Sequence, residues 1–211
     1  MRSMGAAPKS IPYDWLPPLP PRDPADPFAW LRSAPKAIDP VGTRQDGDED
    51  VPLPVRLTPL TAEARALNLA IPAPFAAFLS APDLISRVPS CTACYLDLPT
   101  RLIPLPGGQP GRLLRFLNDQ QCCLLWYLHL TPDGAHSVLS GWPEFHDAAT
   151  GPTLEDISTP RDLALSAPGF VDFLHRFWLE NTLWYAVQED RPFSADERAY
   201  ADAAMARAAS G

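Results

Sequence analysis

From about Ser86 to Ser140 the hydrophobic period of the chain becomes two, and this stretch constrains the fold more than any other. The runs RLLRFL, CCLLWYLHL and HSVLS are β-prone. The first two are joined by Asn118-Asp119-Gln120-Gln121, the last two by Thr131-Pro132-Asp133-Gly134-Ala135. Both connectors are short and rich in turn formers, so the three runs are predicted to form an antiparallel meander. In the middle run, Cys122, Leu124, Trp126, Leu128 and Leu130 are expected to face one way, and Cys123, Leu125, Tyr127 and His129 the other. Both faces are mostly apolar, so the strand belongs inside a sheet whose second face is partly covered.

Helical signals flank the meander. Thr58-Pro59 reads as a helix start, and PLTAEARALNL carries a helical pattern. Phe75, Phe78 and Leu79 form the buried stripe of a short helix. SCTACYLDL (90–98) is β-prone. Thr159-Pro160 opens a further short helix. In PGFVDFLHRFWLENTLWYAVQ the residues Phe170, Phe173, Leu174, Phe177, Trp178, Asn181, Trp184 and Tyr185 share one broad face. Ser194-Ala195-Asp196-Glu197 is a capping box for a last Ala/Arg-rich helix. The order of helices, antiparallel strands and helices predicts an α+β fold, a central antiparallel sheet with helices packed before and after it.

Proline divides the chain. Thirteen of the 27 prolines fall within residues 1–60, and WLPPLPPRDPADPFAWL favours extended polyproline-type backbone over helix. TRQDGDEDVP follows as a Gly- and acid-rich linker. The expected division is a largely irregular Pro-rich extension over 1–57 and a folded domain over 58–211. Tyr13, Trp15, Phe28 and Trp30 are expected to anchor the extension on its own domain. LPPLPP could alternatively engage a proline-binding module.

The net charge of −8 disfavours direct nucleic-acid binding. Residues 58–211 concentrate the imbalance, with ten arginines, seventeen acids and no lysine, a balance that suits solubility or a basic protein partner. No apolar run is long enough to span a bilayer, and no apolar h-region follows Met1 and Arg2. A cytoplasmic protein with reduced thiols is the expectation.

Few residues suggest chemistry. Cys91 and Cys94 have C-x-x-C spacing, but a strand would turn their sulfurs apart, as it would those of Cys122 and Cys123. Small buried thiols are therefore expected, with no metal and no cofactor. His129, His136, His146 and His175 share no ligand spacing, and His136 is expected almost opposite His129 across its turn. His146-Asp147 could form an acid/base dyad but reads as a solvated loop. No G-x-S-x-G elbow and no P-loop occur, so no catalytic residues are assigned.

Three segments together resemble the SUKH superfamily (the Smi/Knr-like group), which includes bacterial immunity proteins. These are IPAPFAAFL, RFLNDQQCCLLWYLHL with GAHSVLSG, and FVDFLHRFWLENTLWYAV. The resemblance covers about residues 60–190. It implies an α+β domain with helices around a sheet, and protein binding rather than catalysis: many bacterial members occlude a cognate toxin, often a nuclease. Partner contacts are expected at Asn118, Asp119, Gln120 and Gln121, and at Trp142, Glu144 and Phe145 in the loop that follows the meander. The rival readings are a regulatory scaffold recruiting partners through the Pro-rich tail, and a metalloprotein or enzyme built on the cysteines and histidines.

Overall fold

The computed structural model describes residues 16–43, 51–105, 110–121, 123–141 and 163–209. Their order is α1 (Ala29–Ser33), β1 (Gly42–Thr43), α2 (Leu53–Ala66), α3 (Ala73–Leu79) and α4 (Pro82–Ile85), then β2 (Tyr95–Leu96), β3 (Ile103–Pro104), β4 (Arg112–Asn118), β5 (Leu125–Leu130), β6 (His136–Gly141) and β7 (Leu163–Ala167), and last α5 (Phe170–Gln188) and α6 (Ala195–Ala208). The fold is α+β. One sheet runs β1-β2-β4-β5-β6-β7, with β3 also paired to β4. Among the described residues only the β1–β2 pairing is parallel.

The meander forms as its alternation predicts. Leu114 pairs with Leu128 and Leu128 with Val138, all facing the helices. Leu113, Leu125 and Tyr127 face the other way and pack with Ile103 and Leu105 in a second cluster. A register shift between Arg115 and Leu117 sets Leu117 opposite Trp126, so Leu117 joins Phe116 in the main core. There Phe75, Phe116 and Phe170 meet edge to face, with ring centroids 5.0 to 5.8 Å apart, a geometry that adds to the burial itself.

The middle strand is shorter than expected. It begins at Leu125, so Cys123 and Leu124 lie in the preceding turn and are exposed; Cys122 lies outside the described residues. His129 pairs with Ser137, and His136 with Leu130, so the two histidines miss each other by one residue and take opposite faces. SCTACYLDL pairs only through Tyr95–Leu96, because Cys91-Thr92 turns and Ala93 adopts a left-handed φ of 50°. The Ser90 hydroxyl steadies this turn by accepting the Cys94 amide at 2.7 Å.

Helix α2 starts at Leu53, five positions before Thr58. Pro59 therefore sits inside the helix, where a missing amide and ring clash cost about 3 kcal/mol. Burying the stripe Leu53, Leu57, Leu60 and Ala64 outweighs that cost, at roughly 1.5–3 kcal/mol for each leucine. Thr58 is not a cap; its hydroxyl bonds back to the Pro54 carbonyl at 3.1 Å.

The main core also crosses the 57/58 line at which the sequence places the domain start. Phe28, Leu31, Ala34 and Val41 are buried in it. Trp30 stacks on His175 at 4.3 Å and meets Trp178 edge-on at 5.3 Å. Phe28 and Trp30 thus anchor the extension on its own domain, while Tyr13, Trp15, His146 and the helix expected at Thr159-Pro160 lie outside the described residues.

The face expected on α5 packs along most of its length, but Trp184 is 44% exposed. The Ser194–Glu197 capping box is present. Helix α5 opens with no cap from its own chain neighbours; His136 Nε2 accepts the Phe170 amide at 3.2 Å instead.

Candidate partner-binding surface

The β4–β5 turn is organised by one carboxylate. Asp119 Oδ1 accepts the amides of Cys123 at 2.6 Å and Leu124 at 3.2 Å, while the Asp119 amide returns to the Leu124 carbonyl at 3.0 Å. This satisfies the backbone of a turn that has left the ladder. It holds Gln120, Gln121, Cys123 and Leu124 outward, all exposed.

The residues expected to contact a partner therefore take different roles. Gln120 and Gln121 are available to a partner, and Asp119 positions the turn. Asn118 is 1% exposed, the last residue of β4 opposite Leu125, so it is removed from the contact set. Trp142, Glu144 and Phe145 lie outside the described residues.

Ionisable groups tie elements together; Asp97, Arg115, Arg176, Glu197 and Tyr200 are buried, while Glu180 and Arg191 keep contact with solvent. Asp97 is 3% exposed and takes Arg56 on one carboxylate oxygen and Arg115 on the other, each at 2.6 Å. Arg176 donates to the Tyr200 hydroxyl at 2.8 Å, and that hydroxyl donates to Glu180 at 2.6 Å, locking α6 to α5. Burial raises the Glu180 carboxyl and the Tyr200 phenol above their usual ranges. Glu197 receives both arms of Arg191 and the Ser194 amide. Burial pulls its pKa upward, but these donors win and hold it at about 2.

Of the described thiols only Cys94 is buried in the core, with Cys91 half-buried and Cys123 exposed, so the expectation of small buried thiols holds for one of the three. Burial raises both the Cys91 and Cys94 thiols, the opposite of what an activated nucleophile or ligand requires. Strand geometry is not what separates the sulfurs, because neither Cys91 nor Cys123 is in a strand; this corrects the expectation from their spacing. Among the described residues no group of three or more His, Cys, Asp or Glu could hold a metal ion. His175 is 1% exposed under Trp30, and burial, assisted by Arg22, lowers its pKa to about 4.

Sequence reasoning missed one feature altogether. The strap 16–27 lies along α5 and α6, with Arg22 paired to Asp172 and Arg207 donating to the Leu16 carbonyl. Its parts are 150 and 191 positions apart, and no periodicity links them.

The fold and these contacts define an α+β domain with a turn braced by Asp119, and among the described residues no helix is long and apolar enough to cross a membrane. No family model, curated protein or solved structure matches the chain.

Proposed function

We propose that this chain is a non-catalytic protein-binding domain of the immunity-protein kind that its SUKH resemblance implies, neutralising a toxin by covering it. The observation that carries the reading is the β4–β5 turn. Asp119 pre-orders it, so Gln120, Gln121 and Leu124 can meet a partner with little loop-ordering cost. The excess of acids over arginines across 58–211 favours a basic target, a nuclease domain among them.

The test is recovery of the tagged full chain from its native host, with retained proteins identified by mass spectrometry. One basic protein held in stoichiometric amount, and lost when Gln120 and Leu124 are both changed to arginine, supports the proposal. Retention of no protein under any condition removes its basis. A toxin-like reading frame beside the gene would point the same way as a retained basic protein, whereas stoichiometric zinc by elemental analysis would favour the metalloprotein reading.

A further inference from the structure

We infer that the α5–α6 face beneath the strap is a receptor for extended, proline-rich peptides carrying an arginine, and that residues 16–22 occupy it as a tethered pseudo-ligand. The inference rests on the protein-binding reading and names a second surface with the chemistry of what it takes.

The strap reads Leu16-Pro17-Pro18-Leu19-Pro20-Pro21-Arg22. Four prolines fix φ near the polyproline II value, and that helix repeats every three residues. The burial follows the same period. Pro17 is buried and Leu16, Leu19, Pro20 and Arg22 are half-buried, while Pro18 and Pro21 are exposed. Two Leu-Pro pairs and the arginine thus face the domain, and the intervening prolines face solvent. Recognition of proline-rich segments in general docks the preformed helix in a groove; here an acid, Asp172, takes the basic residue.

The receiving side supplies the matching groups. Asp172, in the first turn of α5, takes Arg22. Polyproline II leaves its carbonyls without internal hydrogen bonds, and Arg207 of α6 donates to that of Leu16. A cleft of about 700 Å³ lies between the strap, Val171, Arg176 and these two residues. A peptide in trans competes with the strap for this surface. The tether supplies an effective concentration on the order of millimolar, which a competing peptide must overcome.

The experiment measures fluorescence anisotropy of labelled LPPLPPRDP, and of the same peptide with glutamate replacing arginine, against the full-length chain and its Asp172→Arg variant. The wild-type chain is expected to take the arginine peptide weakly and the glutamate peptide not at all. Asp172→Arg is expected to reverse the preference. It should bind the glutamate peptide about tenfold more tightly than wild type binds the arginine peptide, because its own Arg22 is now repelled. A preference that does not follow the charge at position 172, or binding no stronger than that of a scrambled peptide, overturns the inference. Should Asp172→Arg fail to fold by circular dichroism, Arg22→Glu leaves the receptor intact and loosens the strap. The arginine peptide must then bind about tenfold tighter than to wild type, and no gain overturns the inference. Inert peptides combined with a protein held at the β4–β5 turn would sink this inference and leave the proposed function standing.

Discussion

Asn181 of α5 accepts the Cys91 amide on its Oδ1 at 2.7 Å, joining this helix to a turn ninety positions earlier. Its Nδ2 donates to the Phe177 carbonyl at 2.8 Å, which fixes the direction of the amide. The carboxamide therefore clamps the turn leading into β2. Asn181→Ala removes the acceptor and leaves an inward-facing amide without a partner, at a cost of about 1–3 kcal/mol. Urea unfolding followed by tryptophan fluorescence should show a lower midpoint with an unchanged slope; a midpoint within error of wild type would mean the clamp carries no stability.

The Asp97 cluster should be more sensitive. Its two guanidinium partners differ in burial, Arg115 at 8% and Arg56 at 29% side-chain exposure. Asp97→Ala strips the carboxylate from the buried arginine, and breaking such a pair costs about 3–5 kcal/mol. Arg56→Ala should cost clearly less, since that arginine is partly in water. Equal losses from the two variants by denaturant titration would contradict this ordering.

Two glycines test backbone strain against space. Gly111 has φ of 108°, and a Cβ there would stand 2.5 Å from the Leu130 carbonyl oxygen and 2.9 Å from His129 Nε2. Gly134 has φ of 82° with nothing within 4 Å. Gly134→Ala should cost about 1–2 kcal/mol, the left-handed penalty alone. Gly111→Ala adds a collision with backbone and should lower the thermal midpoint markedly further; matched midpoints would show that the β4 entry relaxes freely.

How much was legible in the sequence follows from the range of the forces involved. The β4–β5–β6 meander and most of the α5 face were readable, because alternation and helical spacing are local and tied to burial. The start of β5 is not legible: Cys123 and Leu124 continue the apolar pattern, yet Asp119 captures their amides and stops the ladder. Pro59 hid the start of α2, since propensity argues for a boundary and only the buried Leu53–Ala64 stripe overrides it. Asn118 looked like a turn residue by type, but its pairing with Leu125 turns it inward. The strap was invisible because Arg22 and Asp172 have no sequence relation.

Acid should weaken the fold in two stages. His175 has its folded pKa depressed to about 4 against an ordinary 6.5. The unfolded chain therefore binds that proton first, and stability falls as pH drops from about 6.5 toward 4. The groups around His175 are Trp30, Arg22, Asp172 and Arg176; the two arginines oppose protonation and Asp172 favours it. Glu197, held at about 2 against 4.5, contributes stability that is full above 4.5 and lost between there and about 2. Urea midpoints at about pH 7, 5 and 3 should decline throughout. His175→Gln should flatten the upper stage while leaving the lower one, and an unaltered slope between about pH 6.5 and 5 would place its cause elsewhere.

The turn that carries the proposed function makes a kinetic prediction. Asp119 acts on the loop's order and not on a partner, whereas Gln120 and Leu124 present exposed side chains. Asp119→Ala frees the amides of Cys123 and Leu124, so a partner must order the loop as it binds, at about 0.5–1.5 kcal/mol for each side chain newly immobilised. Leu124→Ala removes apolar contact from a loop that stays braced, which should show mainly as faster dissociation. Once a partner is in hand, surface plasmon resonance separates the two. Asp119→Asn keeps the Oδ1 acceptor and should restore most of the affinity that alanine loses. If asparagine and alanine at 119 weaken binding equally, the carboxylate itself touches the partner, and the division of labour within the turn must be redrawn.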